Sequence, residues 1–410
     1  MNSIATPVRA GAIVFLIALI IRVAVISASP IKVGIDPSEY FALAQNLRWH
    51  DSFSYGATHK WGDRGIIDSL GPYLPTVARA PLYPAMIAAV WWQESPPFVA
   101  VRIMQALLGA FAALFSFLTA FRLFGPKTAW LAGLAVALGP MSNLLTAAFV
   151  SESLFSFLLA GGLWAWTRKS FFLAGLFLGA ATLTRAVLLP ILLLVGVLAL
   201  VLKFNRTAHA KVALAALLVV APWTARNAMT LHGFVPVSTM GWGANILLGT
   251  RPVPYGSGNP FLTYVRDKAF MDAIESSADE TEAEAKMIRV GIERIKEDPL
   301  RWFFVRLTQY PRLFIETPSY LFPVIPLPPK IIIPVYFAGT FLFLSFAIAG
   351  VFLALSRWRE IYPLVLFGFA IAGAFFVGVA EERYSLALLP MTAVFASSAI
   401  VHLIGRLRKI

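Results

Sequence analysis

Ten continuous apolar stretches run through this chain, and they leave few folds open. They are Ala10–Ala28, Phe98–Phe121, Ala129–Thr146, Leu154–Thr167, Phe171–Leu183, Val187–Leu202, Val212–Trp223, Ile331–Leu355, Ile361–Val379 and Leu386–Leu403. A membrane β-strand alternates lipid-facing and lumen-facing residues, whereas these runs do not alternate. Lipid offers the backbone no hydrogen-bond partner, so such runs must close their own bonds as helices. We expect an all-α polytopic membrane protein with about ten transmembrane helices. Composition agrees, because 59% of the 410 residues are hydrophobic and only 13% are charged. Soluble domains carry about a quarter charged residues.

The net charge of +13 does not indicate a nucleic-acid partner. The basic residues fall in short loops between apolar runs and form no continuous patch. The chain has no cysteine, which excludes disulfides, thiolate metal ligands and cysteine nucleophiles. Ser27-Ala28-Ser29 resembles a signal-cleavage site, but the preceding run is long for a signal peptide, so Ala10–Ala28 is read as a span. Arg22, inside it, is expected to snorkel to the interface. The sequon at Asn205 and Thr207 is read as a chance match.

Following the ten runs through the bilayer sorts the charges onto two sides. One side receives Arg9, Arg122, Lys127, Arg168, Lys169, Lys203, Arg206, Lys211, Arg357, Arg359, Arg406, Arg408 and Lys409, opposed by Glu360 alone. The positive-inside rule makes that side cytoplasmic and places both termini there. The other side receives Asp36, Glu39, Arg79, Glu152, Arg185, Arg226, Glu381, Glu382 and Arg383. We therefore expect three regions: an N-terminal transmembrane part over 1–225 with a first outer loop at 29–97, an outer segment at 226–330, and C-terminal transmembrane helices at 331–410. Within the outer segment, Gly241 to Asn259 is rich in turn residues and is expected to be irregular. Residues 267–297 read as one charged helix, and Glu280, Glu282 and Glu284 read as its solvated face. The pair Asp298-Pro299 should end it. Arg301 to Phe314 is amphipathic and suits the membrane surface. Trp91 and Trp92 read as an interfacial aromatic pair.

The polar residues that could do chemistry gather on the outer side. Asp36, Pro37 and Glu39 look like a helix start, with Asp36 as N-cap and Glu39 completing a capping box. A helix start also holds a carboxylate rigidly, so capping and catalysis remain compatible. Asp36 and Tyr40 share a helical face. Glu152 is an acid at the mouth of a span, costly there unless it is paired or faces water. Arg79, Arg185, Arg226 and Arg383 break the positive-inside bias as a group. A set of guanidiniums at the bilayer surface suits a phosphate, which arginine grips through a planar fork. The acidic run offers no histidine at ligand spacing, so no metal site is expected.

Several motifs recur in order: Asp36 with Tyr40, Ala44 and Asn46; Arg79, Pro81, Tyr83 and Pro84; Ser151, Glu152 and Phe155; Thr184 and Arg185 with Pro190; Pro222, Trp223, Arg226 and Asn227; Arg383 and Tyr384 with Pro390. This set resembles bacterial glycosyltransferase family 39-like members of the GT-C superfamily, near the protein mannosyltransferases and aminoarabinose transferases. The resemblance runs from Asp36 to about Pro390. It implies a GT-C fold, a polyprenyl-phosphate sugar donor, an active site on the outer face of a bacterial inner membrane, and no cofactor. It implies Asp36 and Glu152 as catalytic carboxylates, and Tyr40, Arg79, Tyr83, Arg185, Arg226, Arg383 and Tyr384 as substrate-binding positions. The acceptor it implies is an envelope glycan or lipid. Oligosaccharide ligation or polymerisation, and transport of a lipid-linked glycan, remain alternatives. Charges at span boundaries and the lack of an internal repeat speak against the transporter.

Overall fold

The computed structural model describes residues 2–55, 75–230, 234–239, 242–252, 267–277, 280–315 and 329–408. Among these residues every regular element is helical. The first long helix is α1 (Asn2–Ala28), followed by α2 (Ile35–Trp49) and α3 (Leu82–Ala89) at one end of the bundle. Next come α4 (Phe98–Phe124), α5 (Pro126–Leu138), α6 (Pro140–Ala147), α7 (Glu152–Thr167), α8 (Phe171–Thr184), α9 (Leu189–Val201) and α10 (Arg206–Thr230). A group of shorter helices follows: α11 (Gly243–Leu248), α12 (Lys268–Glu275), α13 (Glu280–Glu297), α14 (Pro299–Gln309) and α15 (Arg312–Ile315). The chain ends with α16 (Pro329–Leu353), α17 (Trp358–Val377) and α18 (Leu389–Leu407), and a 3-10 turn at Glu382–Ala387 precedes α18.

The protein is an integral membrane protein, and the described helices do not confirm the count of about ten spans. Six described helices are long and apolar enough to cross a bilayer, and the pair α5–α6, bent by 41°, makes a seventh. Two helices expected to span, α8 and α9, are shorter than these six, and α7 has 16 residues. A straight crossing of about 30 Å needs roughly 20 residues. Apolar helices also pack against one another inside the bundle: α8 packs between α7 and α10, and α18 packs on α4, α5 and α16.

The bend between α5 and α6 accounts for Arg22. The residue four beyond Val136 is Pro140, which has no N–H, so the Val136 carbonyl loses its helical partner. Arg22 supplies the donor. Its Nη2 lies 3.2 Å from the Val136 oxygen and 2.6 Å from Ser142 Oγ, and its Nη1 lies 3.1 Å from the Ala18 oxygen. Asn143 Nδ2 does the same for the Ala137 oxygen, at 3.1 Å. Arg22 is thus fully buried, not snorkelled. Gly109 makes room for it, because a Cβ there would lie 2.3 Å from Arg22 Nε. The Trp91–Trp92 pair is also split: Trp91 is buried, Trp92 is 73% exposed.

The segment after α10 departs from expectation in three places. Part of the stretch read as irregular is α11; residues 253–259 of that stretch, most of the first outer loop (56–74) and Lys409 lie outside the described residues. The charged helix is two helices, α12 and α13. Asp298 and Pro299 do separate α13 from α14, with Asp298 Oδ1 accepting the Arg301 N–H at 2.9 Å. On α14, Leu300, Phe303, Phe304 and Leu307 face outward, while Arg306 is buried and donates to the carbonyls of Phe376 and Gly249. That ties α14 to the end of α17.

Candidate functional site

Helix α2 starts one residue earlier than its motif suggests. Its N-cap is Gly34, without a side-chain cap, so Asp36 sits in the first turn instead of capping it. The carboxylate is free to turn outward, and two guanidiniums take it. Arg79 Nη2 lies 2.6 Å from Oδ1, and Arg383 Nη1 lies 2.6 Å from Oδ2. Glu39, read from sequence as the second half of a capping box, also binds Arg79: Oε2 accepts from Nε at 2.6 Å. One turn of α2 thus presents two carboxylates to one arginine, and Asp36 joins that arginine to a second from the other end of the chain.

The network continues. Arg383 Nε reaches Glu381 at 2.7 Å and approaches Glu152 Oε1 at 3.7 Å. Glu152, in the first turn of α7, pairs with Arg185 at 2.7 Å. Arg185 follows α8 in extended conformation, which aims its side chain across the Tyr384 ring at 4.6 Å. Arg383 lies over the same ring at 5.2 Å, and Phe375 stacks on it. Arg79 lies 5.4 Å from the Tyr40 ring centre. Such cation–π contacts fix a guanidinium while leaving its N–H edge available.

Electrostatics separates the two acids of α2. Burial alone would raise the Asp36 carboxyl, but Arg79 and Arg383 reverse that and hold it well below the usual carboxylate range. Glu39 shares only one arginine, is 1% exposed, and has Asp36 as a like-charged neighbour. Burial pushes it up to about 7, against the pull of Arg79 and a Tyr55 hydrogen bond. Burial, with Glu381 alongside, also pushes the Tyr384 phenol up to about 12.

The structure brings together most of the residues singled out from sequence. Tyr40, Arg79, Arg185 and Tyr384 line an open cleft, along with Trp242, Asn245 and Phe375. Asp36 and Glu152 sit one contact behind it, through Arg79 and Arg185, and Arg383 meets it through the Tyr384 ring. Tyr83 lies deeper. It is fully buried, meets Tyr40 edge-on at 4.9 Å, and donates its hydroxyl to Gln105 Oε1. Arg226 stands apart. It lies over Trp223 and donates to the Thr76 carbonyl, 3.2 Å away. Glu39 and Trp242 were not singled out as site residues. The spacing of Glu39 from Asp36 could have pointed to it; Trp242 has no comparable signal. Among the described residues, no three acidic or histidine side chains are grouped as metal ligands would be.

No protein-family model matches the chain, and no curated protein sequence matches it either. Solved structures do. The archaeal oligosaccharyltransferase AglB of Archaeoglobus fulgidus, in complex with an inhibitory peptide and a dolichol-phosphate, superposes with a TM-score of 0.57 over 98% of this chain, at 14% identity. A second structure of the Archaeoglobus fulgidus oligosaccharyltransferase, tethered with an acceptor peptide, gives 0.56 over 97%, at 15% identity. The chain has the GT-C fold. It covers 50% of the length of each of those two enzymes. ArnT of Cupriavidus metallidurans, bound to undecaprenyl phosphate, aligns over 97% of this chain and 77% of its own, with 15% identity and a TM-score of 0.41.

Proposed function

We propose that this GT-C chain is an inverting glycosyltransferase, moving one sugar from a polyprenyl-phosphate donor to an envelope glycan or lipid acceptor on the outer face of a bacterial inner membrane. The observation that carries the reading is the shared grip of Arg79 and Arg383 on Asp36, with Arg79 and Arg185 lining the cleft. Among the described residues no carboxylate lines that cleft; the acids lie behind the arginines. An anion entering it meets guanidiniums first.

The donor phosphate would bind those guanidiniums, drawing Arg79 partly from its carboxylates and leaving Asp36 free to accept a proton. The acceptor oxygen then attacks the anomeric carbon opposite the phosphate. The carbon–oxygen bond to phosphate breaks with both electrons leaving on the lipid phosphate, and the acceptor proton passes to Asp36. A single displacement of this kind inverts the anomeric centre. Arg185 and Arg383 stabilise the charge growing on the leaving phosphate, an interaction organised before reaction begins. Glu152 holds Arg185 and approaches Arg383, which keeps that charge in place. Base catalysis here depends on hydrogen-bond reach more than on a matched pKa. A second reading, transfer of a lipid-linked oligosaccharide, is favoured by the likeness to AglB. The two differ in the size of the donor.

The experiment supplies the purified protein in lipid with labelled polyprenyl-phosphate monosaccharides and crude envelope as acceptor, and follows release of the free lipid phosphate. Turnover lost in Asp36→Asn, with the variant still folded, supports the reading. Turnover only with an oligosaccharide donor moves it to the second. Loss of activity in a chelator removes the metal-free mechanism.

A further inference from the structure

The cleft lining has two parts of different chemistry. Arg79, Arg185 and Tyr40 supply a charged part. Other lining residues, Trp242, Asn245 and Ile246 on or beside α11, with Ser238 upstream, carry no charge. They combine one large aromatic face, an aliphatic neighbour, an amide and a hydroxyl. A sugar ring has that complementary character: apolar C–H faces, and hydroxyls around the rim that need partners once desolvated. A phosphate has no use for such a surface.

Helix α11 is short, and its first N–H groups have no intrahelical acceptor. Glu284 of α13 accepts two N–H groups there, from Trp242 at 3.1 Å and Gly243 at 2.6 Å. The close approach depends on glycine at both contacts. A Cβ on Gly243 would lie 2.6 Å from the Glu284 carbonyl, and one on Gly291 of α13 would lie 2.8 Å from Ile246 and 3.0 Å from the Leu247 nitrogen. One turn before Glu284, Glu280 takes the Thr76 hydroxyl at 2.5 Å and the Val77 N–H at 3.1 Å, in the segment that leads to Arg79. Two carboxylates on adjacent turns of α13 thus fasten both parts of the cleft lining to one helix. Sequence alone suggested that these glutamates formed a solvated face.

We propose that α11 and Trp242 form a saccharide subsite, in which the Trp242 indole stacks on the donor sugar, Asn245 hydrogen-bonds its hydroxyls, and Glu284 positions both in the cleft that Arg79 also lines. The proposal rests on the donor reading above. It assigns phosphate and sugar to different lining residues of one cleft, so the two can be separated by experiment.

The test measures binding of undecaprenyl phosphate, and of the same lipid carrying single neutral hexoses or pentoses, to the full chain in lipid nanodiscs. Wild type should bind the best sugar-bearing lipid at least tenfold more tightly than bare undecaprenyl phosphate. Trp242→Ala and Asn245→Ala should erase that preference and leave affinity for the bare lipid within twofold, which also reports an intact fold. Glu284→Ala should erase it too, while Glu284→Gln, which keeps a carbonyl acceptor for α11, should restore most of it. Equal weakening of both lipids, no weakening in Trp242→Ala, or no sugar preference in wild type overturns the subsite. Failure of glutamine to restore what alanine removes overturns the positioning role of Glu284. If wild type binds neither lipid, the donor reading falls and the subsite falls with it.

Discussion

The two ends of the helix bundle use arginine in opposite ways. At the end rich in basic residues, guanidiniums meet backbone. Arg122 donates to the Thr167 carbonyl at 2.6 Å, Arg206 to Ala199 at 3.0 Å, and Arg357 to Leu123. Each carbonyl closes a helix (α7, α9 and α4), where the last turn lacks partners and the dipole favours a cation. At the other end, Arg79, Arg185 and Arg383 meet carboxylates and aromatic faces. The first pattern finishes helices. The second holds several charges close together at partial exposure, which stability alone does not require, since isolated ion pairs contribute little. The difference separates structural arginines from those available to a ligand.

The sharpest break in that comparison comes from the centre of the charged network. Asp36→Asn keeps size and hydrogen bonding but removes the charge shared by two arginines. Turnover in the donor assay should fall about a hundred- to ten-thousandfold, the span typical of a lost general base. Near-wild-type turnover in a folded Asp36→Asn protein would demote the network to a structural role, like the arginines of the opposite end.

Arg22 belongs to neither end and tests the middle. It is a buried cation that donates to two carbonyls and a hydroxyl. Arg22→Ala would leave the Val136 carbonyl without its donor and open a cavity against Gly109. We expect a loss of about 3 kcal/mol, read as a lower unfolding midpoint in detergent, with the affinity for undecaprenyl phosphate within twofold of wild type. An unchanged midpoint would mean that water or backbone relaxation satisfies the break.

What the sequence disclosed follows from what periodicity and composition can carry. Apolar runs announce lipid-facing helices, and Asp298-Pro299 announces a break, because both are local properties. The gathering of Asp36, Arg79, Arg185 and Arg383 was legible for a different reason: a bilayer confines charges to two planes, so alternation alone brings distant residues to one end. Arg22 was misread because its partner exists only through Pro140, over a hundred positions away in the chain. Glu280 and Glu284 were misread because an exposed helical face and a clamp share one spacing. Arg226 shares the end but not the cleft, since Trp223 and Thr76 take its guanidinium. The number of spans is not fixed by composition, because an apolar helix buried among helices has the same composition as one in lipid.

The two acids of α2 offer a comparison by pH. Glu39 is raised from its ordinary 4.5 to about 7, so between those values the native state binds more protons than the unfolded chain. Its contribution to stability is complete below pH 4.5 and is lost as pH rises through 7, amounting to at most about 3 kcal/mol. Glu39→Gln should therefore flatten the fall in unfolding midpoint across that interval. Asp36 is shifted the other way, and its contribution is lost only under stronger acid, below its ordinary 3.8. An unchanged slope in Glu39→Gln would mean that Arg79 keeps Glu39 ionised and that both acids of α2 behave alike.

The smallest expected effects lie at the basic end, and they complete the comparison. Arg122→Ala and Arg206→Ala each remove a donor from a terminal helix carbonyl that water can reach. The cost should be about 0.5–1 kcal/mol apiece. Both substitutions should leave donor turnover within twofold, because the end of the bundle they finish is not the one that carries the cleft. Arg185→Ala is the contrast at the other end. It frees Glu152, which is 4% exposed, as a buried charge, and it removes one of the two arginines lining the cleft, so binding of bare undecaprenyl phosphate should fall along with stability. If Arg122→Ala or Arg206→Ala weakened that binding as much as Arg185→Ala does, the division of arginines by end would be wrong, and the two ends would have to be coupled through the bundle. If both spare it, sharing buried carboxylates, not a backbone carbonyl or an exposed pair such as Arg357 with Glu360, marks the arginines held for a ligand.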